Sequence, residues 1–250
     1  VRALDLPEFD LTRADHLACA LDGAQVVVNC AAFTNVDQAE KQFDTALAVN
    51  GRAVGALGAA AKESGAFVVH ISTDFVFDAR QTRPYVETDP PNPINAYGRS
   101  KLEGERALQQ SACAHVILRV QWSYGSHGAN FIGKIQERAR TGAELKVVED
   151  QVGAPTWTAD MARVIAILIR DRRAGLYHFA NAGETTWWQF ASDIHQIAVA
   201  RGMRPKTARI RPIATAEYPT PARRPAYSTL STARIEAVLG RSPRHHLDAL

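Results

Sequence analysis

Apolar runs rich in valine and isoleucine recur along the chain, separated by stretches with an apolar residue every three or four positions. The runs "AQVVVNCAA", "AFVVHIS", "HVILRV" and "GLYHFA" do not alternate polar with apolar, which is the mark of strands buried on both faces, and "LKVVED" predicts a shorter strand. The opening "VRALD" reads as the end of a further strand. Helical spacing predicts helices over 10–21, 43–62, 97–110, 130–141, 158–171 and 186–201, and a short helix after the proline-rich "EYPTPARRPAYSTLST". For the first of these, Thr12 and Asp15 make a capping-box-like start. Strands alternating with helices predict βαβ units on a parallel sheet, hence an α/β fold with a doubly wound sheet. The pattern loosens after Val120. The expected division is a sheet domain over 1–125 and a smaller, intertwined α/β substrate lobe over 126–250.

Composition adds limits. An apolar fraction of 46%, a charged fraction of 22% and a formal net charge of +3 are those of an ordinary globular protein. No basic stripe marks a nucleic-acid binder. No apolar run reaches the roughly 18–20 residues of a membrane span. Cys19, Cys30 and Cys113 are odd in number and scattered, so they read as small buried thiols in a reducing compartment, with cytoplasm as the expected location.

Chemistry enters at "NAYGRSK", where Tyr97 and Lys101 stand four apart at a helix start and therefore share a face. A nearby ammonium favours the phenolate, which would let Tyr97 give or take a proton near neutrality. The spacing alone also fits a solvated helix face. Two strand ends add context: "FVVHIS" runs into Thr73 and Asp74, and "VVVN" runs into small residues. Ligands bind at the carboxyl ends of parallel strands.

Taken with "VVVNCAAFTNVDQAE", "AFVVHISTDFVF", "YVETDPPNPINAYGRSKLEGE", "VVEDQVGAPTW" and "YPTPARRPAYSTL", these stretches resemble the extended short-chain dehydrogenase/reductase family over nearly the whole chain. The resemblance implies a Rossmann-like fold and reduction of the C4 keto group of a dTDP-4-keto-6-deoxy sugar by NADPH or NADH, giving dTDP-L-rhamnose. It implies Tyr97 as proton donor, Lys101 on the nicotinamide ribose and lowering the tyrosine pKa, and Thr73 completing the triad. Asp10, Leu11, Ala31, Ala32, Phe33 and Thr34 would line the cofactor. Thr73, Asp74, Trp122, Asn130, Gln151, Arg223 and Arg224 would hold the dTDP-sugar, the arginines because their planar fork meets phosphate bidentately.

The sequence also departs from that family. Phe33 replaces a polar aromatic, often histidine. No glycine-rich strand–turn–helix for a pyrophosphate is found, and the chain opens on what reads as the second strand, so the expectation is a longer protein whose N-terminal part is not shown. Asp5 tilts the cofactor choice towards NADH. A homodimer is implied by the family alone, and Mg²⁺ has no ligand cluster behind it. Two other readings stay open. One is a non-catalytic subunit resembling the regulatory subunit of methionine adenosyltransferase; the other is a different nucleotide-sugar reductase or epimerase.

Overall fold

The computed structural model describes residues 1–142, 144–206 and 209–250. In chain order, α1 (Ala14–Leu21) leads to β1 (Val26–Asn29), α2 (Val36–Lys41), α3 (Phe43–Leu47), a π-helical turn over Ala48–Arg52, α4 (Ala53–Ser64), β2 (Phe67–Thr73), α5 (Ala96–Ser111) and β3 (His115–Val120). The second half gives β4 (Ser123–Tyr124), α6 (Phe131–Thr141), β5 (Leu145–Val148), β6 (Val152–Gly153), β7 (Thr156–Trp157) and α7 (Thr158–Arg170), then β8 (Gly175–Phe179), β9 (Thr185–Thr186), α8 (Trp187–Ala200), β10 (Ile210–Ile213) and α9 (Ala233–Leu239).

The main sheet runs β1-β2-β3-β8 and is parallel throughout, with Val28 opposite Val69, His70 opposite Ile117 and Leu118 opposite Tyr177. Both faces are covered, which explains the unbroken apolar runs. Val68 and Ile117 point to a core built with Leu17, Leu21, Val54, Leu57 and Leu108 from α1, α4 and α5. Their neighbours Phe67, Val69, Val116 and Leu118 point the other way, to Val164, Leu168 and Ile235 from α7 and α9. The doubly wound sheet is thus present. The C-terminal half lends it β8, α7 and α9, and builds a second core from Ile135, Leu145, Phe190, Ile194 and Ile210 on α6, β5, α8 and β10.

Three local expectations differ from the structure. Residues 1–5 form no strand. The first helix starts at Ala14, and the Thr12–Asp15 box does not form. Asp10 takes both the amide and the hydroxyl of Thr12, while Asp15 pairs with Arg13, so nearer partners win. The helix expected over 43–62 is broken by its π turn, and the cause is Asn50. Its fully buried amide accepts from Phe33 N (2.8 Å) and donates to Phe33 O (3.1 Å) and Ser100 Oγ (2.9 Å). The extra residue in the turn lets Asn50 face both partners, a common use of such insertions. Across from it α5 comes so close that a Cβ on Gly104 would lie 2.0 Å from Asn50 O.

Candidate active site

Three consecutive residues at the end of β2 meet three residues of α5. Tyr97, Lys101 and Glu105 lie four apart and so share the helix face turned to the strand. Lys101 Nζ, 3% exposed, donates to Ile71 O at 2.6 Å. Ser72 Oγ donates to Glu105 Oε1. Thr73 lies beside Tyr97 and favours its ionised form, while its hydroxyl donates to Asp74 Oδ1 (3.1 Å) and accepts from Phe75 N (3.2 Å).

The start of α5 is fixed by its own cap residue and by contacts with two other segments. Asn95 caps it by accepting from Gly98 N (2.8 Å), and its Nδ2 donates to Arg223 O (2.9 Å). The Ala96 amide donates to Glu40 Oε1 (2.8 Å). The loop after β1 is set by Asn29, whose Oδ1 accepts from Ala31 N, and by the Asn50 clamp on Phe33. Phe33 and Tyr97 both pack on the small cluster of Ala39, Ala46 and Ala96, and Phe75 stands edge-on to Tyr97 at 5.7 Å.

The electrostatics differ from the expectation of a lowered tyrosine pKa. Burial pushes the Tyr97 phenol up to about 12, the Asp74 carboxylate adds to that, and the Thr73 hydroxyl opposes it. Lys101 does not offset this: its own pKa is lowered to about 8 by burial, against the pull of Glu105 and Cys30, and its ammonium engages the Ile71 carbonyl. Tyr97 therefore stands protonated at neutral pH, the state a proton donor needs.

Asp74 is 1% exposed, and its Oδ2 has no hydrogen-bond partner. Burial pushes its carboxyl from 3.8 up to about 6, opposed by hydrogen bonds from Ser228 and Thr73. Because the folded pKa exceeds the unfolded one, the folded state binds the proton more tightly. The resulting stability is present below about pH 4 and is lost as pH rises through about 6. Asp74→Asn is expected to stabilise the fold by about 1–3 kcal/mol near neutral pH and by much less near pH 4. Urea unfolding at the two pH values checks this, and an equal effect at both would refute the assignment.

Beyond the β2 end, a cleft of about 320 Å³ lies between α2 and the second lobe. Its wall is aromatic: Phe131 and Trp187 line it, and Trp122 stacks on Trp187 at 3.7 Å. Lys134, Arg138, Lys146 and Arg224 bring cations to the lining, where the acid is Asp37. Asp37 holds Arg224 at 2.9 Å, and Gln151 donates to Thr215 (3.0 Å).

The structure thus brings Thr73, Asp74, Tyr97 and Lys101 together, with Phe33 on the same alanine cluster as Tyr97 and Ala31, Ala32 and Thr34 in the loop that carries Phe33. It sets Gln151 and Arg224 on the cleft and Trp122 behind its aromatic wall. Arg223 is exposed and engages the site through its backbone carbonyl. Asn130 has its side chain committed to capping α6, accepting from Gly133 N and donating to Gly125 O. Leu11 enters the core, and Asp10 holds Thr12; neither side chain joins the Tyr97 cluster. Cys19 and Cys30 are exposed, not buried as expected; Cys113 is buried. Sequence reasoning missed Asn50, Glu40, Glu105 and Arg119. The lone asparagine in an alanine-rich helix was the available signal for the first.

Residues 1–250 match the RmlD substrate binding domain family. The chain belongs to that family. Its relatives include a dTDP-4-dehydrorhamnose reductase of Burkholderia thailandensis, 43% identical over 246 residues, covering 93% of this chain and 83% of that protein. Among solved structures, the dTDP-4-dehydrorhamnose reductase of Clostridium acetobutylicum is 36% identical with a TM-score of 0.91, covering 98% of this chain and 86% of that one. The Bacillus anthracis reductase, solved in complex with NADP, is 31% identical with the same TM-score of 0.91 and the same 98% and 86% coverage. Among the described residues no helix is long and apolar enough to cross a membrane, and no group of three or more His, Cys, Asp or Glu is placed to hold a metal ion.

Proposed function

We propose that this chain reduces the C4 ketone of dTDP-4-keto-rhamnose to dTDP-L-rhamnose with NADPH or NADH. The observation that carries the reading is the protonated Tyr97 beside Thr73, Asp74 and the buried Lys101, next to a cleft with aromatic walls and a cationic lining. Residues 1–125 would hold the cofactor and 126–250 the sugar nucleotide, the latter half also completing the sheet.

The residues present fit a ribose. An ammonium carries three donors, and Lys101 has one hydrogen bond, so buried donors stay free for hydroxyl acceptors. Lys101, Thr73 and the loop of Ala31, Ala32, Phe33 and Thr34 would hold the nicotinamide end, and any part played by Asp10 and Leu11 would come through the backbone of their turn. The bound cofactor supplies the hydride. Tyr97 holds the proton at its phenol oxygen and gives it to the carbonyl oxygen as negative charge develops there. Thr73 orients that phenol. Asp74, ionised above about pH 6, disfavours a lingering tyrosinate and so favours return of the proton. Asp5 gives little guide to NADH against NADPH, since its carboxylate already accepts from the Leu6 amide.

The dTDP-sugar would lie along the cleft, its diphosphate met by Arg224, which Asp37 already orients. Gln151 and Trp122 would border the nucleotide and sugar, with Arg223 at the rim; Asn130 would act by holding Phe131 in place. Arg224→Ala is expected to raise KM for the dTDP-sugar roughly tenfold with kcat nearly unchanged. Steady-state kinetics decide it, and a kcat loss at constant KM would move Arg224 out of the binding role. A nucleotide-sugar biosynthetic role places the enzyme in the cytoplasm.

The deciding experiment follows NADPH and NADH consumption on dTDP-4-keto-rhamnose, with dTDP-L-rhamnose identified by mass. Turnover confined to UDP- or GDP-sugars would replace the substrate. No consumption of either cofactor, with stoichiometric capture of a partner enzyme, would support the regulatory-subunit reading instead.

A further inference from the structure

A buried ion pair outside the reacting groups carries an inference that rests on the reductase reading. Glu105 and Arg119 are 2% and 3% exposed. Arg119 grips Glu105 with both nitrogens of its fork, Nε to Oε1 at 2.9 Å and Nη2 to Oε2 at 2.6 Å. The guanidinium also lies over Phe77 at 5.1 Å and approaches His178 Nε2 at 3.4 Å. His178 is held in turn by Tyr85 O. Arg119 is thus rigid from several directions. Such a pair is weak ground for stability, because desolvating two charges offsets their attraction. A role in geometry accounts for it better.

That geometry is a three-rung ladder between α5 and β2. Tyr97 meets Thr73, Lys101 meets the Ile71 carbonyl, and Glu105 meets Ser72. The first two rungs carry the chemistry, and the Lys101 rung rests on a single hydrogen bond. The third is anchored to β3 as well, through Arg119. We propose that Glu105 is a positioning residue: clamped by Arg119 and Ser72, it fixes the register of α5 on β2 and supplies the negative charge that keeps the Lys101 ammonium charged in its buried setting. The charged and titratable groups around Lys101 are Glu105 on its own helix, Cys30 after β1 and His70 on β2. Burial holds His70 neutral and pushes the Cys30 thiol up, which leaves Glu105 as the acid close to the ammonium.

The test labels lysine side chains with carbon-13 and follows their NMR shifts against pH, identifying Lys101 by its loss in Lys101→Arg. In Glu105→Gln the Lys101 midpoint is expected to move down by about one pH unit or more. In the same protein kcat should fall roughly tenfold with KM within about threefold, because the phenol is misplaced while the cleft is intact. Glu105→Gln strands the Arg119 charge and can lose stability, so Glu105→Leu/Arg119→Met is measured beside it. With both buried charges removed it is expected to fold, and to shift Lys101 in the same direction. A folded variant of either kind with the parent's Lys101 midpoint and the parent's kcat overturns the proposal. A parent that titrates as expected but turns over no dTDP-sugar refutes the reductase reading alone.

Discussion

Tyr97→Phe is expected to lower kcat by roughly 10²-fold or more, in line with removal of a general acid. The substitution is a clean one in this fold. Phenylalanine keeps the edge-on contact with Phe75 and the packing on Ala39, Ala46 and Ala96, and removes only the hydroxyl. At neutral pH nothing else in the cluster is set to replace it, since Asp74 is ionised above about pH 6. Thr73 already donates to Asp74, and its own hydroxyl is far too weak an acid; Lys101 is turned to the Ile71 carbonyl. The phenol also owes its high pKa largely to its own burial, so the variant relieves a desolvated polar group and should unfold at nearly the parent's denaturant midpoint. The expected signature is therefore a large fall in kcat, a KM within about threefold, and unchanged stability. Turnover within a few-fold of the parent would take Tyr97 out of the mechanism and leave the ketone's proton without a source in this site.

Why Tyr97 could be picked out of the sequence, while Glu105 could not, is a matter of distance along the chain. Tyr97 and Lys101 are related by helical spacing, a local signal. Thr73 and Asp74 announce themselves by ending an apolar strand. The sheet was legible for the same reason, since burial on both faces writes itself into β2 and β3 as unbroken apolar runs. Glu105 has no such local mark: its partners, Ser72 and Arg119, lie 33 and 14 residues away on two different strands. The π turn is similar, because Asn50 reaches back 17 residues to Phe33 and forward 50 to Ser100. Local signals also misled where two of them competed. Thr12 looked like a cap, but Asp10 was nearer to it. The tyrosine pKa was argued from the neighbouring lysine, whereas burial and Asp74 set it.

Gly98→Ala should show that same distinction as a measurement. Asn95 and Asn130 each cap a helix by accepting from the glycine three residues on, Gly98 in α5 and Gly133 in α6. By sequence the two Asn-x-x-Gly starts are alike, and alanine is the better helix former by about 1 kcal/mol at an interior position. Tertiary contact separates them. A Cβ on Gly133 meets nothing within 4 Å, whereas a Cβ on Gly98 would stand 2.1 Å from Phe75 O and 2.9 Å from Pro93 Cβ. Phe75 O is backbone, directly after the Thr73–Asp74 corner, so it cannot swing aside as a side chain would. The start of α5 must move away from β2 instead. Gly133→Ala is expected to be neutral or slightly stabilising. Gly98→Ala is expected to lose about 2–4 kcal/mol, at or above the usual range for overpacking. Because Tyr97 is the adjacent residue, it should also lose about 10²-fold in kcat, since displacement of a reacting group by about 1 Å can cost that much. Denaturant melts and kinetics below the melting range separate the two effects. If Gly98→Ala matches Gly133→Ala in both, the close approach of α5 to the Phe75 carbonyl is not what seats the proton donor.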